Sequence, residues 1–338
     1  MSFEQAPAWQ QSRKRAIPIR VALLIATVWL LCVGSATAES LCASSGSSTS
    51  RLQDAMARGR FIAYQPTELK VINGQSTQVS RASIAEDLRV LRTTFDGLVT
   101  YGSHSGGEFI PDVAASLQFR AVIVGIWNIR DAKEVANAVA AWRRNPSLVV
   151  GVSLGNEVVL GKRADFATVA ELLRNFRATY SGLPVATTEP FHLWTESGSS
   201  VVLKQMDFML ANVHPIFQPW FKEQGDDVAA QFVVNVGRDL KAKFCGPVLI
   251  KETGIPTAPA VNGFSAERQT SFYKELQLRM PPTRELAFAY FSAFDAAWRV
   301  TDAHPTEGPH PEEAHFGLYT EDRKRKPVLS IIPALTSK

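Results

Sequence analysis

Residues 148–157 read LVVGVSLGNE, an apolar run that ends abruptly on Gly155-Asn156-Glu157. A strand with one solvated face alternates apolar and polar residues; a continuous run buries both faces, as a parallel strand sheathed by helices does. The same signature recurs on either side. We read strands at FIAYQ (61–65), DGLVTY (96–101), AVIVGIW (121–127), PVATTE (184–189), DFMLANV (207–213), PVLIKE (247–252) and LAFAYFS (286–292). Segments of helical period separate them. Ser83-Ile84-Ala85-Glu86 is read as a capping box opening a helix toward Leu91. Asp131 caps AKEVANAVAAWRR, Asp165 caps FATVAELLRNFRATY, Ser265 caps a helix through about Arg279, and a last helix follows Pro327. After Asp165, Phe166, Val169, Ala170, Leu173 and Phe176 share one face. Eight such units predict an α/β fold, a single (β/α)8 TIM barrel over residues 59–336. The rival is a doubly wound open sheet, but no G-x-G-x-x-G follows the first strand.

Ahead of the barrel, Arg13, Lys14, Arg15 and Arg20 precede the apolar run VALLIATVWLLCV (21–33), and Ala36-Thr37-Ala38 forms an A-x-A site. Residues 1–38 are therefore expected to be a cleaved signal peptide or an uncleaved membrane anchor; either places the body outside the cytoplasm, periplasmic or secreted. Residues 39–58, with CASSGSSTS, read as a Ser-rich linker. The chain's +4 formal charge is mostly in the leader, so the body is nearly neutral. That gives no electrostatic reason for nucleic acid, or for membrane beyond the possible anchor. With Cys32 in the leader, Cys42 and Cys245 remain as an even pair; their spacing does not establish whether they join. No cofactor motif is present, none is expected, and the barrel is expected to be a monomer.

Active residues of such barrels sit at the C-terminal ends of strands. The fourth strand ends on Glu157 and the seventh on Glu252, opposite each other across the mouth. Two carboxylates are what glycosidic cleavage requires: one protonated to assist the leaving oxygen, one ionised to attack the anomeric carbon or activate water. Asn156 is placed to bond a sugar 2-hydroxyl. Other strand ends contribute Tyr101, Trp127, Glu189, His214 and Asp295. Trp127, Trp194, Phe217, Trp220 and Trp298 are candidate platforms for the apolar faces of sugar rings. Lys251 either lowers the pKa of Glu252 or points elsewhere.

At these residues the chain resembles glycoside hydrolase family 17, in particular its bacterial branch. The likeness rests on GNE (155–157), TTEPF (187–191), DFMLANVHPIFQP (207–219), ETGIP (252–256), FSAFDAAWR (291–299) and HFGLYTEDRKRKP (315–327), and covers roughly residues 60–330. It implies a retaining (β/α)8 enzyme acting on β-glucan, chiefly β-1,3-linked, by hydrolysis or transglycosylation. By position it makes Glu157 the acid/base and Glu252 the nucleophile. Asn156, His214, Asp295 and Trp298 become substrate-site residues. The chain departs from the pattern at Ile255, where the family usually has Trp or Tyr. It departs again at Lys251, usually a small residue, and at Phe316, often Trp.

Two other readings are weighed. A non-catalytic carbohydrate-binding barrel needs one carboxylate misplaced. A metal-dependent hydrolase needs a His-x-His at the end of the first strand, which instead reads Tyr64-Gln65-Pro66. The stretch from His304 through His310 to His315 is Pro-rich without tight ligand spacing, and reads as a mobile loop over the mouth.

Overall fold

The structure, a computed structural model, describes residues 41–43, 48–302 and 309–335. The leader at 1–38 lies outside the described residues, as do 303–308. Eight parallel strands form one sheet in sequence order. They are β1 (Phe61–Ala63), β2 (Gly97–Val99), β3 (Ala121–Ile126), β4 (Val149–Asn156), β5 (Val185–Pro190), β6 (Met209–Asn212), β7 (Val248–Glu252) and β8 (Leu286–Phe288). A parallel bridge between Ile62 and Tyr290 joins the last strand to the first and closes the barrel. The (β/α)8 expectation holds, and all eight strands fall where the apolar runs placed them.

Helices Ala132–Arg144, Phe166–Thr179 and Ala266–Arg279 are capped by Asp131, Asp165 and Ser265, whose side chains accept from Lys133, Thr168 and Arg268 N–H groups. Three expectations are corrected. The helix Arg81–Leu91 starts one turn before the proposed capping box, because Ser80 rather than Ser83 accepts a first-turn N–H. Pro327 opens only a 3-10 turn, Pro327–Ser330. Part of the supposed linker is the helix Ser50–Arg58, which buries Leu52, Ala55 and Met56 against β3, β4 and β8. Its apolar positions are spaced for one face, but the adjoining Ser-rich tract hid them.

Cys42 and Cys245 form a disulfide with Cα atoms 5.5 Å apart. Leu41 bridges Phe244, and Ala43 N donates to the Met206 carbonyl. Those partners precede β6 and β7, so the staple lies at the base of the barrel, opposite the strand C-termini. The ladder shifts register between Ser153 and Asn156 on β4, and between Ala211 and Asn212 on β6. Such irregularities re-aim strand-end side chains.

Candidate active site

β4 delivers Glu157 through a strained turn. Gly155 has φ +92° and Glu157 φ +52°. A Cβ at Gly155 would meet Val158 Cγ2 at 2.4 Å, so only glycine fits. The Glu157 N–H donates to the Thr188 carbonyl at 2.7 Å, and Glu189 Oε1 and Oε2 accept from Val159 and Leu160 N–H groups at 2.8 and 3.2 Å. The turn is over-determined by β5, which is how an uncommon backbone conformation persists. Glu189 thus supports the turn.

The Glu157 carboxyl accepts from Asn212 Nδ2 at 2.8 Å. Across the mouth, Glu252 is 7% exposed, with Lys251 Nζ 3.0 Å from Oε1 and His214 Nε2 3.5 Å from Oε2. The Lys251 ammonium also donates to Asn156 Oδ1 and sits 4.1 Å from the Tyr101 ring centre. His214 is walled by the edges of Phe217, Phe291 and Phe316.

These surroundings drive the two carboxyls apart. Burial raises the Glu157 pKa, the nearby Glu252 charge raises it further, and Asn212, His214 and Lys251 offset only part of this. Burial would also raise Glu252, but Lys251, His214 and Arg299 outweigh it and hold Glu252 well below the usual carboxylate range. Opposed shifts in a facing pair mark an acid and a base or nucleophile. Burial, with a contribution from Glu157, pushes Glu189 up to about 7, against the pull of its backbone donors.

The other expected site residues divide. Tyr101 and His214 join the pair. Trp127 stands at the rim, 42% exposed, with the Arg163 guanidinium 5.0 Å from its ring. Trp298 lies under Arg299, which donates to Gln65. Asp295 reaches the rim, but its Oδ1 accepts from Gly317 N at 2.9 Å and Lys326 Nζ at 2.7 Å. Trp194 is fully buried, donating to the Leu210 carbonyl, so it packs the core and offers no platform. Ile255, where family 17 usually has an aromatic residue, is likewise buried.

Sequence reading missed Asn212, Arg299 and Glu134. Asn212 ends an apolar strand two residues before His214, a signal that was available. Glu134 looks like an ordinary first-turn helix residue; in space its carboxylate accepts from Ser103, Trp127 and Asn128 N–H groups and ties two mouth loops together. Tyr101 Oη, Asn212 Oδ1 and His214 Nδ1 are buried without a hydrogen-bond partner. Orphaned buried polar atoms are uncommon. Three at one mouth match a ligand rich in hydroxyls. Among the described residues no group of three or more His, Cys, Asp or Glu side chains is arranged to hold a metal ion.

The family described as "BtgE/BtgC glycoside hydrolase domain" matches residues 62–317. The chain belongs to this family. A "Probable beta-glucosidase btgE" from Aspergillus flavus is 29% identical over 195 residues, 54% of this chain and 31% of that protein. The chain thus spans about a third of the first BtgE relatives it matches. A "Glucan 1,3-beta-glucosidase" from Arthroderma benhamiae is 26% identical over 263 residues, 73% of this chain and 83% of the relative. A family 17 β-1,3-glucanosyltransferase from Rhizomucor miehei superposes with TM-score 0.62 at 23% identity, covering 81% of this chain and 97% of that one. An endo-laminarinase from Formosa gives 0.65 at 19%, covering 82% and 87%. These two structures share the barrel fold of this chain.

Proposed function

We propose that this BtgE/BtgC domain cuts or transfers β-glucan chains, β-1,3-linked in the first instance, with retention of anomeric configuration. The carrying observation is that Glu157 and Glu252 are close enough for their charges to interact and shift in opposite directions, Glu157 held by Asn212 and Glu252 by Lys251 and His214. Glu157, protonated, donates to the glycosidic oxygen as the bond to the anomeric carbon breaks. Glu252, ionised, attacks that carbon and forms a glycosyl ester. Glu157, now a carboxylate, takes a proton from water or a sugar hydroxyl as that oxygen displaces Glu252. Asn156, Tyr101, His214 and the exposed Trp127 hold the sugar. A Rhizomucor relative of the same fold was crystallised with laminaritriose, which supports the substrate class.

The test is incubation with laminari-oligosaccharides. Anomeric proton NMR should show the β-anomer first, and chromatography should show shorter products, with longer ones where transfer competes. Initial α-anomer overturns retention, and no turnover overturns the enzyme reading in favour of a binding barrel. The leader layout and the Cys42–Cys245 disulfide together support an exported body, since such bonds persist in oxidising compartments. Fractionation of expressing cells checks this: a cytosolic, fully reduced pool contradicts it.

A further inference from the structure

Lys251 is 1% exposed and stands beside the catalytic pair, where the family 17 pattern has a small residue. An ammonium has three donors and no acceptor. Its surroundings account for all three directions: Asn156 Oδ1, Glu252 Oε1 at 3.0 Å, and the face of Tyr101 at 4.1 Å. Since a cation repels an amide N–H, the Asn156 carboxamide must turn its oxygen inward. Its Nδ2 is then left for the mouth, and among the described residues no hydrogen bond engages that nitrogen. A small residue at 251 would let the amide flip and would remove the cation from Glu252.

We propose that Lys251 is a positioning residue of this chain: it locks Asn156 as a hydrogen-bond donor toward the substrate and couples that lock to the charge on Glu252. This rests on the hydrolase reading. The donor then meets a sugar hydroxyl oxygen, the 2-hydroxyl on the sequence argument. Because one ammonium serves both side chains, forming the glycosyl ester on Glu252 removes the charge opposite Lys251 and strengthens its hold on Asn156 during the covalent step. The charged and titratable groups facing Glu252 are Lys251, His214, Arg299, Tyr101 and Glu157.

The experiment measures kcat/KM against pH on laminaritriose for the full chain and three variants. In the wild type the acid limb should lie below the ordinary glutamate value of about 4.3. Lys251→Met should move it up by about one unit or more and lower kcat/KM about 100-fold. Asn156→Ala should lose about 100-fold in the wild-type background, and under about tenfold in the Lys251→Met background. Asn156→Asp keeps the Lys251 contact but offers an acceptor outward, so it should lose about 100-fold even if Lys251→Met fails to fold. Additive variants with an unmoved acid limb, or a fully active Asn156→Asp, overturn the proposal. In those cases an active wild type leaves the hydrolase reading standing; a wild type inert on laminaritriose sinks both.

Discussion

At the base of the barrel, Asp207 accepts from Val185 N at 3.0 Å and pairs with Arg177, while Asp96 pairs with Arg58 at 3.1 Å. A disulfide closes the same end. At the mouth, polar atoms of Tyr101, Asn212 and His214 are buried and unmatched, Glu157 sits at positive φ, and the Glu252 charge acts on Glu157. At the base Asp207 and Asp96 are paired within the protein; the mouth leaves buried polar atoms for a ligand. Stability and chemistry are segregated along one axis, so substitutions at the two ends should separate them.

The largest effect is expected at the mouth. Glu252→Gln should remove about 10⁴-fold or more of kcat on every substrate while the chain stays folded; measurable turnover with an activated aryl glycoside would break the comparison. Glu157→Ala should lower kcat/KM on laminari-oligosaccharides about 10³-fold, spare substrates with good leaving groups, and respond to azide. Equal loss on both substrate types would place the acid elsewhere. At the base, Cys42→Ser should lower stability by about 2–5 kcal/mol in denaturant unfolding and leave kcat unchanged. A changed kcat with unchanged stability would contradict the division.

Glu189 lies between the two regimes: buried like a base residue, and close enough to Glu157 to feel its charge. Its carboxyl pKa is raised in the fold to about 7, so the folded state binds the proton more tightly than the unfolded chain does. Stability from this group is therefore full below about pH 4 and lost as pH rises through 7, by about 3 kcal/mol across the window. Glu189→Gln should flatten the unfolding free energy between pH 5 and 8; an unchanged slope would show that Glu189 is not the titrating group. The smallest effect is Trp127→Ala, expected to raise KM about tenfold with kcat nearly unchanged, as measured by initial rates.

The eight strands were legible because both faces are buried, which leaves continuous apolar runs, and the pair Glu157 and Glu252 was legible because each terminates such a run. Capping aspartates were equally plain, being local chemistry. What escaped was non-local. Glu134 serves two loops from a helix whose sequence looks solvated. Glu189 and Asp295 were expected at the sugar, but backbone N–H groups and Lys326 engage their carboxylates, and nothing in a strand-end acidic residue announces which partner it will take. Trp194 failed as a platform for the same reason: a loop position does not disclose that its ring turns inward. Lys251 was visible, yet its direction depended on Asn156 and Tyr101 arriving from two other strands.

Glu252 is proposed to supply the oxygen of a covalent glycosyl ester. Incubation with a 2-deoxy-2-fluoro-β-laminaribiosyl fluoride, followed by proteolysis and mass spectrometry, tests it directly. A single glycosyl adduct on the peptide containing Glu252 is the predicted result; an adduct on Glu157 or Glu189, or inactivation-free turnover with no adduct at all, would contradict it.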